Sequence, residues 1–418
     1  MSEPADPDAT APDQERHASW AELFFDLVVV AGASTLAHVV AGHPDGRAIG
    51  LYAVLFLAFW LAWTTFMIYG NIAADRTLVV RLLGGMFGLG VMAASVPGVG
   101  HALLEEGSHG STALNVFVVA YVVTRLLGSQ SWRRGEVVLD FPVVQHTAGT
   151  LPWLASLWVH DDTWKVALWA AGVAIDLLMM LAVSGDEMVE RYQERFDQVA
   201  RRRRRGGRPS PRGRDERTVS ITGVSVDVAH LAERLGLFVI IVLGEGVVQV
   251  VDAASEAEVG WDLLGAGFAS FVLLAGMFGL SVLFGHAGVP HLRGGSLPVR
   301  VVLVLHLLVT AVLACVAVGL AAVVEHGTEP LDDSSRWLLC GAVAAYFAIG
   351  LFASVVARGW RPVGIVVWVL TGLGVPLVLG ARATEVGGTA LVAYVVLVVL
   401  GHLAAELRAE RAADPHAA

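Results

Sequence analysis

Glu22 and Asp26 stand one helical turn apart inside WAELFFDLVVVAGASTLAHVV, a stretch from Trp20 that is otherwise built of hydrocarbon-like side chains. A later stretch, HLAERLGLFVIIVLGEGVVQVV from His230, carries Glu233, Arg234 and Glu245. Ionisable groups are costly in a bilayer core, so each is a candidate functional group. Glu22 and Asp26 project about 40° apart on a helix, on one face. Such a pair can share a proton or bind a cation. It can equally pair with an arginine or cap backbone groups at a helix end. In the later stretch, Asp227, His230, Arg234, Glu245 and Gln249 fall within an arc of about 100°, and Glu233 lies about 120° from Asp227. Asp227 and His230 are expected near the membrane interface. Glu245 follows Glu233 by roughly 18 Å of helix and is the acid expected past the midplane. It could serve as a proton- or cation-coupling group, or as a neutral acid hydrogen-bonded between helices. Arg234 keeps its charge and needs a counter-charge, for which Glu22, Asp26 or Asp176 could serve.

Further polar residues in apolar stretches are Asp140, His146, Asp176 and His306, with His402 behind them. A lone histidine in such a place is more often hydrogen-bonded between helices than a ligand. No HExxH, paired His or Cys cluster points to a metal, and no GxSxG, Walker A or dinucleotide loop points to a cofactor or a known reaction. We therefore expect no cofactor, and an enzyme is the less favoured class. Cys315 and Cys340, the two cysteines, both lie in apolar segments, which excludes a disulfide framework.

The elements that must position these residues follow from composition. Of 418 residues, 56% are hydrophobic and 16% charged, which fits an all-α integral membrane protein. The apolar runs are continuous, not alternating, which disfavours a barrel. We expect twelve spans near 20–41, 49–70, 78–99, 111–128, 136–159, 164–183, 221–251, 262–285, 299–324, 336–357, 362–380 and 388–406. With the N-terminus cytoplasmic, the opposite loops hold only Arg47, Lys165, Arg336 and Arg382; apart from Arg234, every other Arg lies on the cytoplasmic side. This asymmetry predicts cytoplasmic N and C termini.

Matching features suggest two parallel six-helix repeats, 19–183 and 220–407. Glu22 answers to Glu233, Tyr69-Gly70-Asn71 to Phe284-Gly285-His286, Arg81 to Arg300, Tyr121 to Tyr346, and Pro152 to Pro376. Six spans per unit would insert both the same way up. Residues 1–18 read as a disordered tail, 184–219 as an Arg-rich cytoplasmic linker, and 408–418 as a C-terminal tail. The run Arg201–Arg205 could attract anionic lipid headgroups. No aromatic residues interleave with it, so nucleic acid is not an expected partner. A homo-oligomer stays open. Pro142, Pro152 and Pro376 free backbone carbonyls in comparable spans and can mark a transporter site or plain kinks. The glycines from Gly84 to Gly90 fit close helix packing.

The segments WAELFFDLVVV at 20–30 and ERLGLFVIIVLGE at 233–245 resemble the signatures of the bacterial low temperature requirement A (LtrA) family. Glu22, Phe24, Phe25, Asp26, Glu233, Gly244 and Glu245 match its motifs, while Val29 stands where an aromatic is commoner. The resemblance implies a multi-pass protein, which we expect in the bacterial cytoplasmic (inner) membrane, linked by name to growth in the cold. It implies no assigned activity. A second likeness is to endolysosomal potassium channels, which repeat a six-helix unit opening with a Phe-x-Asp motif; the second unit here lacks that motif. The leading expectation is an ion- or proton-coupled transporter or channel. The alternatives are a non-transporting protein of cold or stress adaptation, or a membrane-embedded lipid-modifying enzyme.

Overall fold

The computed structural model describes residues 18–41, 45–105, 111–132, 136–182, 189–190, 193–194, 198, 222–359 and 362–413. Among these, eleven helices are long and apolar enough to cross a membrane. In chain order the helices are α1 (Trp20–Ala41), α2 (Gly46–Ala73), α3 (Val79–Leu104), α4 (Ser111–Ser129), a short α5 (Thr150–Ala155) and α6 (Asp162–Ala182). Then follow α7 (Val228–Glu256), α8 (Trp261–Phe278), a short α9 (Val289–Arg293), α10 (Val299–His326) and α11 (Asp333–Arg358). The last are α12 (Pro362–Trp368), α13 (Val375–Arg382) and α14 (Gly388–Ala413). A π-helical turn at Gly279–Leu283 extends α8, and another at Val369–Gly374 joins α12 to α13 in one span.

Polar side chains start several of these helices. Ser19 and Glu22 form a reciprocal cap on α1: the Ser19 amide and hydroxyl donate to Glu22 Oε2 at 2.9 and 2.8 Å, and the Glu22 amide donates to Ser19 Oγ at 3.3 Å. Asp45 accepts from the amides of Arg47 and Ala48 at the head of α2. Asp227 accepts from the His230 amide at the head of α7. At the head of α11, burial works against the Asp332 carboxylate, but bonds from Ser335 and Ser334 outweigh it and hold its pKa below the ordinary value.

The expected span at 136–159 is not a helix. A strand β1 (Glu136–Val138) is followed by a 3-10 turn (Pro142–Gln145), α5, and a second 3-10 turn (Ser156–Trp158). Its first end meets Arg76 through Glu136, and its far end leads to Asp162 beside Arg47 and Leu104. The segment thus traverses the bundle as a broken crossing. Pro142 and Pro152 withhold amides, and Gly149 approaches α6 too closely for a regular helix. A Cβ on Gly149 would stand 2.6 Å from the Gly172 carbonyl oxygen, and one on Gly172 would stand 2.5 Å from Trp153 Cδ1. Gly172→Ala is therefore expected to destabilise the protein by about 1–3 kcal/mol, read as a lower unfolding temperature in detergent; an unchanged midpoint would show that the contact yields.

The strand β1 pairs in parallel with β2 (Thr222–Val224), Glu136 opposite Thr222. Asp140 Oδ2 extends the clip by accepting from the Val226 amide at 2.9 Å. Helix α1 packs on α3 as α7 packs on α10, and α3 on α4 as α10 on α11. The first and second halves meet where α1 contacts α7 and α10. Helix α2 is central, with 83% of its most apolar window buried, against 17% for the Pro362–Arg382 span at the periphery. The glycines of α3 do serve close packing: a Cβ on Gly84 would lie 2.7 Å from Leu127 of α4.

Candidate functional site

The α1–α7 interface gathers most of the sequence candidates. Arg234 grips Asp26 with two donors, Nη2 to Oδ1 at 2.5 Å and Nε to Oδ2 at 3.2 Å. Both side chains are fully buried. Trp63 of α2 donates to Asp26 Oδ1 at 2.8 Å. Glu22 lies 3.6 Å from Arg234 Nη1 and 3.5 Å from His230 Nε2. Asn71 closes the cluster on α2: its amide nitrogen meets His230 Nδ1 at 3.1 Å and the Asp227 carbonyl at 2.9 Å, while its oxygen accepts from the Asp227 amide at 2.8 Å. Two carboxylates, a guanidinium and an imidazole thus share one buried pocket, where each charged group needs its neighbours. Gly70 makes room for them: a Cβ there would come within 2.9 Å of Glu22 Oε1.

Further along the same interface, Ser34 donates to Glu245 Oε1 at 2.5 Å, and Gln249 Nε2 reaches Ser34 Oγ at 3.4 Å. Glu245 is half-buried and has no ion-pair partner among the described residues. A void of about 10 Å³ adjoins it, lined by Val30, Ser34, Val242, Glu245 and Ala317. That is about the space of one water. Buried Val30, Phe238, Val239 and Val242 lie along the helices between this group and the Asp26 cluster.

His306 of α10 ties the two halves together. It faces the Leu235 carbonyl through Nε2 at 3.2 Å, takes the Trp60 indole N–H on Nδ1 at 3.5 Å, and stacks on Trp63 with ring centroids 5.7 Å apart. The tautomer protonated on Nε2 satisfies both contacts. Trp63 therefore links His306 to Asp26.

Asp176 does not serve Arg234. It belongs to a second buried pair, 3.2 Å from Arg125 Nη2. Arg125 also donates to Thr65 Oγ1 at 2.6 Å and to the His146 and Val143 carbonyls of the broken crossing at 3.1 and 3.5 Å. Tyr121 adds its hydroxyl to Asp176 at 3.4 Å. His146 contributes that carbonyl and a half-buried ring. Sequence reasoning counted Arg125 among the cytoplasmic charges; the structure buries it in the bundle. The available signal was Asp176, a buried acid that required a partner. Trp63, Asn71 and Ser34 were also overlooked, being polar groups of ordinary type in apolar runs. Glu233, off the polar stripe, sits half-buried outside the Asp26 cluster, and Asp140 serves the strand clip. Arg201–Arg205 lies outside the described residues.

No curated protein and no solved structure matches the chain. The family model described as bacterial low temperature requirement A protein matches residues 17–400. That span contains every cluster just described, with the motif residues Glu22 and Asp26 in the Arg234 cluster and Glu245 bonded to Ser34: the chain is a multi-pass helical membrane protein belonging to the bacterial LtrA family.

Proposed function

We propose that this protein is an ion- or proton-coupled transporter or channel whose coupling groups lie on the α1–α7 interface. One observation carries the reading. Glu245 faces α1 inside the bundle, bonded to a hydroxyl and beside a water-sized void, with no fixed cation next to it among the described residues. In an apolar bundle, such a carboxyl is where a proton or cation gains most by binding.

The same reading extends to topology and location. The chain is two parallel repeats with both termini cytoplasmic, in the bacterial inner membrane. Support comes from the matching packing of α1–α3 with α7–α10 and from irregular backbone at corresponding places. The turn at Val369–Gly374 precedes Pro376 as the unwound stretch before Thr150 precedes Pro152. Ser34 and Glu245, which touch, are separated by 211 residues, the spacing of Glu22 and Glu233. Interrupted spans at matching repeat positions are a transporter trait. The rival reading, a non-transporting membrane protein of cold adaptation, draws on the bidentate Arg234–Asp26 pair, which suits a static lock.

Flux in proteoliposomes separates them. Wild type is expected to dissipate an imposed proton or alkali-cation gradient. Glu245→Gln keeps a hydrogen-bond acceptor for Ser34 and is expected to stay folded while losing flux. Equal flux in wild type and Glu245→Gln would exclude Glu245 as the coupling group. No flux in wild type under any of these gradients would favour the static reading.

A further inference from the structure

A cavity of about 290 Å³ opens at the end of the bundle where α2 turns into α3 and α4 leads to the broken crossing. Its lining combines Arg76 and Arg81 with Tyr69, Leu78, Ser131 and Trp132. Among the described residues Glu136 is the one carboxylate in the lining, and it approaches Arg76 to 3.9 Å. Arg81 spends one donor on the Gln130 carbonyl at 3.2 Å. Most guanidinium donors thus remain for another acceptor, since each such group has five.

Two more donors wait nearby. Trp132 Nε1, just past α4, and Thr77 Oγ1, in the turn between α2 and α3, are buried with no hydrogen-bond partner among the described residues. Buried polar groups are rarely left so unless something else supplies the bond. The turn is also strained: Ala74 holds φ 50°, ψ −125°, a conformation side chains rarely adopt. Strain of this kind persists where the surroundings enforce it and clusters at ligand clamps.

One wall of the cavity runs onto the outer face of α3. Leu78, Val79, Val80, Leu83 and Phe87 are all more than half exposed there, an apolar strip suited to acyl chains. We propose that this cavity is a binding site for the phosphate-bearing headgroup of an anionic phospholipid. Arg76 and Arg81 hold the phosphate oxygens, the Trp132 indole N–H turns to donate beside them, and the chains lie along α3. Forked guanidinium pairing is well matched to phosphate. The site is separate from the acidic clusters on α1 and α7 and does not depend on transport.

The test uses the full chain in neutral detergent. Native mass spectrometry would follow binding of short-chain phosphatidylglycerol, of phosphatidylcholine and of inorganic phosphate. We expect one tight phosphatidylglycerol site, with phosphatidylcholine and free phosphate far weaker. Arg76→Gln/Arg81→Gln is expected to weaken that site about 30-fold, taking about 1 kcal/mol per basic residue near an anionic lipid. Arg76→Lys/Arg81→Lys should retain part of the selectivity. Equal binding of the two lipids by wild type, undiminished phosphatidylglycerol binding by the folded Gln variant, or displacement by inorganic phosphate as effective as by lipid would each overturn the proposal. Should the Gln variant fail to fold, the wild-type preference between the two lipids decides alone.

Discussion

Arg234→Leu is expected to destabilise the protein by about 3–5 kcal/mol, because it leaves Asp26 buried without its main counter-charge. The carboxylate would keep the Trp63 N–H at 2.8 Å but lose both guanidinium bonds. Asp26→Leu should cost a similar amount by stranding Arg234, with Glu22 at 3.6 Å as its nearest remaining acid. The informative variant is the double one, Asp26→Leu/Arg234→Met. Removing both charges and filling the space with hydrocarbon is often close to neutral, so the double variant should recover most of what either single one loses. Thermal unfolding in detergent, arranged as a double-mutant cycle, measures the coupling. If the double variant is as unstable as the sum of the singles, the two residues are not a pair in the folded protein. The recovered double variant then asks a functional question. A static lock can be replaced by hydrocarbon without loss of flux. A pair that parts and reforms during a transport cycle cannot.

The Arg125–Asp176 pair should respond differently. Arg125→Leu is expected to cost about 3–5 kcal/mol as well, but Arg125→Met/Asp176→Leu should not recover it. Arg125 binds more than a carboxylate: it supplies donors to the His146 and Val143 carbonyls. Those carbonyls belong to backbone that has left the α-helix: the Val143 carbonyl also accepts from the His146 amide at 3.1 Å, and the guanidinium is the donor that ties both carbonyls to α4. Hydrocarbon in place of the guanidinium restores neither of these bonds. Arg125→Lys keeps the charge but not the planar fork, and should fall between wild type and Arg125→Leu. The same unfolding cycle measures this, and labelling of a cysteine placed at Val144 would report opening of the broken crossing. Full recovery in the double variant would show that the carbonyl contacts contribute little.

These two pairs show how far the sequence could be read. The long helices follow from continuous apolar runs, and the face shared by Asp227, His230, Arg234, Glu245 and Gln249 follows from helical spacing alone. Of those, His230, Arg234, Glu245 and Gln249 do face α1 and α2, while the exposed Asp227 carboxylate caps α7. Which of Glu22, Asp26 and Asp176 meets Arg234 did not follow, because that depends on which helices are neighbours and on how they are staggered. The segment 136–159 has enough apolar residues to look like a span. Its prolines, Gly149 and the polar Asp140, Gln145 and His146 were the local signs of a break, but only a donor reaching in from α4 makes that break tolerable. Arg125 escaped notice for the same reason. Near the end of an apolar run, an arginine reads as a topology marker unless its distant acid is known. The capping role open to Glu22 was legible in the sequence, whereas its partner Ser19, three residues earlier, was not singled out.

The small parallel ladder between β1 and β2 has a mechanical consequence. It fastens the head of α7 to the start of the broken crossing, and Asp140 and Asn71 rivet the same joint from either side. Helix α7 carries Arg234, and the broken crossing carries the carbonyls held by Arg125. A tilt of α7 large enough to pull Arg234 from Asp26 would act on that joint as a crank. The grip of Arg125 would be loaded by the same stroke, so the two buried ion pairs, on different helices and far apart in sequence, form one linkage.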